Sequence, residues 1–176
     1  RMLANPDDEI SLRRVLNTPR RGIGDRAEAC VAALAERDGL TFWQALRRAD
    51  ELIAQRPRDA AMRFQRGVML SELKRTADAV DAFTRMTEDF PDLPEPYNNL
   101  AVLQAAQGQI DRARELLEAA LRHDPAYLTA HENLGDVYAR MAALEYERAA
   151  ALDKTNRSAT QKLKLVRELL AANAAR

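Results

Sequence analysis

Three prolines, Pro57, Pro91 and Pro125, stand 34 residues apart, and no other feature of the chain narrows its fold as much. Proline ends a helix because it lacks the backbone donor and its ring clashes with the preceding turn. The same step carries Ala79 to Ala113, Phe83 to Leu117, and Gly67 through Ala101 to Gly135. Several sets of positions in one register define a repeated unit that buries its apolar face against its neighbours. Ala, Leu, Arg and Glu recur throughout, so the unit is helical. Each recurring position has a job. Gly67, Ala101 and Gly135 are small where two helices approach, and Ala79 and Ala113 answer them from a second helix. Phe83 and Leu117 fill the gap to the next hairpin. Gly108 sits where the chain must turn between two helices.

The stretch Pro94 to Pro125, PEPYNNLAVLQAAQGQIDRARELLEAALRHDP, resembles a tetratricopeptide repeat, and AHENLGDVYARM, Ala130 to Met141, resembles the first helix of another. The resemblance covers roughly residues 50–157. It implies an all-α fold, a right-handed solenoid of helical hairpins with a concave groove for peptides or protein surfaces. The third repeat departs from the pattern. YERAAALD, Tyr146 to Asp153, arrives about five residues early, and no Gly other than Gly135 follows Pro125. One long helix, roughly Thr129 to Leu152, is expected in place of a hairpin. Residues 158–174, with Leu163, Val166, Leu169 and Leu170 at helical spacing, read as a capping helix.

Residues 1–48 stand outside this register. ANPDDEISLRRVLNTPRRGIGDRAEACVAAL, Ala4 to Leu34, resembles part of the accessory 2B subdomain of superfamily-one DNA helicases of the UvrD and PcrA type, most specifically in LNTPRRGIGDR. The resemblance implies a small helix-hairpin-helix-like segment. Its local chemistry is a tight Gly22-Ile23-Gly24 turn, then a helix starting at Asp25 with Glu28 completing a capping box. Free N–H groups at that start can face a phosphate, with Arg13, Arg14, Arg20, Arg21 and Arg26 close by. The alternative is that the glycines only turn the chain and the arginines form a solvated face. The opening Arg1-Met2-Leu3 reads as entry into the middle of a helix, as in a fragment.

The two parts meet on one helix. Trp43, Ala45, Leu46, Ala49, Leu52 and Ile53 form one helical stripe, Thr41 and Gln44 a capping box, and Pro57 lies beyond the end. An unbroken helix from about Thr41 to Gln55 is expected, its front half helicase-like and its back half in the repeat register. Such a junction reads as a chimera. The division is a helicase-like segment at 1–48, a solenoid at 49–157 and a cap at 158–176.

Lys plus Arg and Asp plus Glu both number 27, so charge gives no global case for nucleic acid or membrane. Cys30, the only cysteine, reads as a small buried residue and excludes an internal disulfide. No apolar run is long enough to span a bilayer, and no secretory signal opens the sequence; a cytoplasmic location is expected. His123 and His131 flank the Pro125 turn without a clear third ligand, so neither metal nor cofactor is expected. The phosphate-cradling pattern GxxxxGK[ST] of a helicase motor is absent, and no nucleophile has a dedicated base, so the chain reads as no enzyme.

Two readings of function remain open. In the first, the chain is a protein-interaction scaffold whose groove is lined by Phe64, Gln65, Val68 and Glu72, then Asn98, Asn99, Val102 and Ala105, then Glu132, Asn133, Asp136 and Arg140. Relatives that clamp chaperone tails use several basic residues there; Asn99 has a matching place but the basic partners are missing. A mixed polar and apolar groove suits a peptide or helix of unknown identity. It is equally open that the chain's own C-terminal helix fills the groove, or that nothing does. In the second reading, Arg20, Arg21, Gly22, Gly24 and Arg26 hold a duplex DNA backbone weakly and without sequence preference.

Overall fold

The structure is a computed structural model that describes Gly39 and residues 42–174. It divides into two compact units, Arg1–Leu100 and Ala101–Arg176. The described elements are all helical.

In the first unit, α1 (Phe42–Gln55) is unbroken through Arg47–Asp50, as a stretch without Gly or Pro dictates. Thr41, the expected cap, lies outside the described residues. Next, α2 (Ala60–Glu72) begins on Asp59, whose carboxylate accepts from the Met62 N–H at 3.0 Å. That satisfies one of the donors a helix start leaves unpaired, a bond worth about 1 kcal/mol. Then α3 (Thr76–Asp89) returns against α2. Leu70 and Ala79 are fully buried, with Phe83, Met86 and Met69 close to it. Each such side chain contributes roughly 1.5–3 kcal/mol by leaving water. Gly67 is small for the expected reason: a Cβ there would stand 2.7 Å from the Phe83 ring. The unit ends in the first turns of α4 (Pro94–Ala106), where the Tyr97 hydroxyl donates to the Thr87 carbonyl at 3.3 Å.

The second unit holds the remainder of α4, then α5 (Ile110–His123), α6 (Leu128–Leu152) and α7 (Arg157–Ala174). Ala101, Ala113 and Ala120 are fully buried and Leu117 nearly so. Gly108 turns the chain with φ +79. The expected long helix is present as α6, 25 residues without interruption, and a C-terminal helix follows it as α7.

The turns show what happened to the third repeat. After α5, the Tyr127 N–H bonds the Asp124 carbonyl at 3.1 Å and the Ala126 N–H bonds Asp124 Oδ1 at 3.0 Å. After α6, Asn156 and Thr155 make the same two bonds to Asp153, at 3.0 and 2.9 Å. Asp153 follows Asp124 by 29 residues rather than 34. The five lost residues are those that would have turned the hairpin, so its two helices run on as one. The buried face swings accordingly: Ala130 and Val137 are buried along the first half, and Ala143, on a different side, in the second.

One expectation is corrected here. Gly135 was expected to sit at a close helix approach, yet it is exposed and a Cβ added to it would meet nothing within 4 Å. The helix that would cover it lies in line with it instead.

Candidate functional site

The first helix of each repeat carries the candidate binding face. On α2, the Phe64 ring is buried against Phe83, with centroids 5.6 Å apart and a 56° tilt. It therefore belongs to the interior of its hairpin. Gln65 is 3% exposed, and its Nε2 has no hydrogen-bond partner. Val68 is half-buried and Glu72 exposed. Further along the unit Asn98 is buried, while Asn99 is half-buried and donates from Nδ2 to the Glu95 carbonyl at 2.9 Å. So Phe64, Gln65 and Asn98 turn inward, and Val68, Glu72 and Asn99 reach the surface of the first unit.

In the second unit, Val102 is 45% exposed and Ala105 half-buried. Glu132 and Arg140 are exposed, and Asn133 and Asp136 half-buried. Gln104 has its Oε1 buried without a partner. Nothing in the sequence marks Gln104, because periodicity picks out recurring positions and gives no sign of an unpaired amide. Leaving such a group unsatisfied costs about 1–3 kcal/mol.

Several charged groups elsewhere on these helices and on their neighbours are ion-paired. Arg63 bridges Asp89 at 2.5 Å and lies 5.2 Å over the Phe90 ring. Arg66 bridges Asp50. Arg114 bridges Glu118 at 2.8 Å, and that hydrogen bond and charge raise the guanidinium pKa further. Glu118 also accepts from the Tyr138 hydroxyl at 3.3 Å. His131 Nε2 donates to the Pro125 carbonyl at 3.0 Å. Among the described residues no three His, Cys, Asp or Glu side chains gather as a metal site would need, and no helix is long and apolar enough to cross a membrane. Arg20, Arg21, Gly22, Gly24 and Arg26, like Cys30, lie outside the described residues.

Helical hairpins recurring every 34 residues, with small residues at the crossings, define a helical-repeat protein. Family models described as tetratricopeptide repeat match residues 30–94 and 70–134, so this part of the chain carries tetratricopeptide repeats. The first match begins inside the segment read as helicase-like. Crystal structures of MamA superpose with a TM-score of 0.56 at 18% identity; one covers 83% of this chain and 85% of its own. Among curated proteins, the chain is 34% identical over 157 residues to the ATP-dependent DNA helicase UvrD1 of Mycobacterium leprae, covering 88% of this chain and 18% of the helicase. It is 70% identical over 46 residues to UvrD1 of Mycobacterium bovis, covering 26% of this chain and 6% of the relative. Against DNA helicase II of Escherichia coli it is 36% identical over 91 residues, 52% of this chain and 11% of the relative. The chain thus joins tetratricopeptide repeats to a helicase-like fragment, and spans less than a fifth of the length of these helicases.

Proposed function

We propose that this chain is a non-enzymatic scaffold that holds a partner protein by a peptide or amphipathic helix laid on the first helix of a repeat. The observation that carries the reading is the surface of α4, where Val102 is 45% exposed on a helix that also offers Asn99 and Ala105. A polar amide beside an open apolar side chain suits an extended or helical segment, the amide oxygen accepting from its backbone and the apolar group meeting its side chains. Selection of a displayed random-peptide library on the chain should enrich a family of binders. Val102→Arg should weaken those binders at least about tenfold, equivalent to ~1.4 kcal/mol. Failure to enrich any peptide, or equal binding to the variant, would overturn the reading.

The helicase-like fragment brings no phosphate loop, since GxxxxGK[ST] is nowhere in the sequence. ATP turnover at background level is the expected result, with or without single-stranded DNA; stimulated turnover by the pure chain would contradict it. The duplex-binding alternative rests on the helicase resemblance alone and draws no support from the described residues.

A further inference from the structure

In the complete hairpin, the small residue of the first helix is covered: Gly67 lies under the Phe83 ring. Gly135 holds the same place on α6, seven residues from its start, and is bare. The residues that would have covered it stand further along the same straight helix. We propose that a second copy of this chain supplies the cover. Two α6 helices pair antiparallel about a two-fold axis at Arg140, each laying its second half along the first half of the other. The pairing goes beyond the peptide-binding reading and does not depend on it.

The stripe that would form the seam is already laid out on α6. Leu128, Gly135 and Tyr138 lie on its first half, Ala142, Ala149 and Leu152 on its second. With His131 and Glu145 between them, the steps alternate three and four along the whole helix, as at a coiled-coil seam. Leu128 is 70% exposed, Tyr138 49% and Leu152 90%. Ala130, Val137 and Ala143, the buried residues of α6, are all off the stripe. At a rise of about 1.5 Å per residue the seam is roughly 37 Å long.

The stripe is also a palindrome about Arg140. Leu128 comes level with Leu152 of the second copy, and the bulky Tyr138 with the small Ala142 of the second copy. Gly135 comes level with Glu145 of the second copy, whose chain can pass over a residue lacking a side chain. That glutamate is held by Arg148 of its own helix at 2.6 Å, so it brings its partner cation to the seam. The level is within one residue of that in the intact hairpin. There Gly67 is seven residues into α2 and Phe83 six from the end of α3; here the residue six from the end of α6 is Tyr146, half-buried under Lys162, and Glu145, the next residue back, is the one that comes level with Gly135. The terminal helix is not built to do the same. Lys164 stands seven residues into α7, where a long charged side chain blocks the close approach that Gly135 leaves open.

Sedimentation of the full chain over a hundredfold range of concentration around about 10 µM should show reversible dimers. Leu128→Arg and Leu152→Arg should each weaken association at least about tenfold while leaving helicity by circular dichroism intact. Orientation is read by disulfide trapping in a Cys30→Ser background. Leu128→Cys mixed with Leu152→Cys should give the crosslinked heterodimer, and Leu128→Cys alone should give none. A monomer throughout, a dimer indifferent to both arginines, or a Leu128→Cys homodimer would overturn the proposal, the last by showing parallel pairing.

Discussion

The α2–α3 hairpin and α6 carry the same repeat at two stages of completeness. In the hairpin the chain turns at Leu73–Arg75, and the returning helix puts the Phe83 ring over Gly67. In α6 the turn is missing, the second helix continues along the axis of the first, and Gly135 faces open space. Helix-forming tendency does not separate the two regions, since both are rich in good helix formers. The loop separates them. The turn inside each complete hairpin carries a residue with positive φ, Lys74 with φ 60 in this one and Gly108 with φ 79 in the next. No residue of α6 adopts such a φ. Each helical unit in a repeat depends on its neighbour for burial, so deleting five residues transfers an apolar stripe from the interior to the surface without unwinding a single turn.

The same substitution at the two glycines should give opposite signs. Gly67→Leu drives a side chain into Phe83, itself 1% exposed and pinned by Phe64, and should cost toward the upper end of about 1–3 kcal/mol. Gly135→Leu meets no neighbour in the monomer and replaces a poor helix former, so it should gain roughly 0.5–1 kcal/mol. Urea denaturation of dilute protein decides it. Equal costs at both sites would mean that Gly135 is covered in the monomer after all.

A smaller effect is expected at Ala101, which shares the register of the two glycines and is fully buried. Ala101→Leu should destabilise by about 1–3 kcal/mol through overpacking, eased by the methyl already accommodated there. Unchanged thermal unfolding would refute the shared register.

Much of this arrangement was legible in the sequence, because it follows from local grammar. The proline period placed the inter-repeat turns, and α2, α4 and α6 begin at Ala60, Pro94 and Leu128, in step with it. The early arrival of YERAAALD exposed the missing turn, and continuous good helix formers then left only a long helix. What the period could not show is which side of a helix is covered. Phe64, Asn98 and Glu132 share one register position, yet the first two are buried and the third is exposed. Gly135 looks identical to Gly67 as a letter; its environment depends on a helix that never folds back. The unpaired amides of Gln65 and Gln104 were equally hidden, since hydrogen-bond satisfaction is a property of three-dimensional neighbours.

The smallest expected effect tests the turn itself. Lys74 and Gly108 occupy the same position in successive hairpins, and both have positive φ. Their bonds match. The Arg75 N–H reaches the Leu70 carbonyl at 2.9 Å, and the Gln109 N–H reaches the Gln104 carbonyl at 2.9 Å. This is a helix end closed by one left-handed residue, a place where glycine is preferred because a Cβ is crowded there by the following carbonyl. Lysine bears that strain and glycine does not. Lys74→Gly should therefore stabilise the protein by up to about 1 kcal/mol, less whatever the freer unfolded chain takes back. Gly108→Ala should cost about 1 kcal/mol for the reverse reason. A Cβ at Gly108 would meet nothing within 4 Å, so the loss would be backbone strain alone. Chemical denaturation of both variants is the measurement. If Lys74→Gly destabilised the chain, the lysine side chain would be contributing more than its strain costs, and the two turns would be alike in shape but held by different forces.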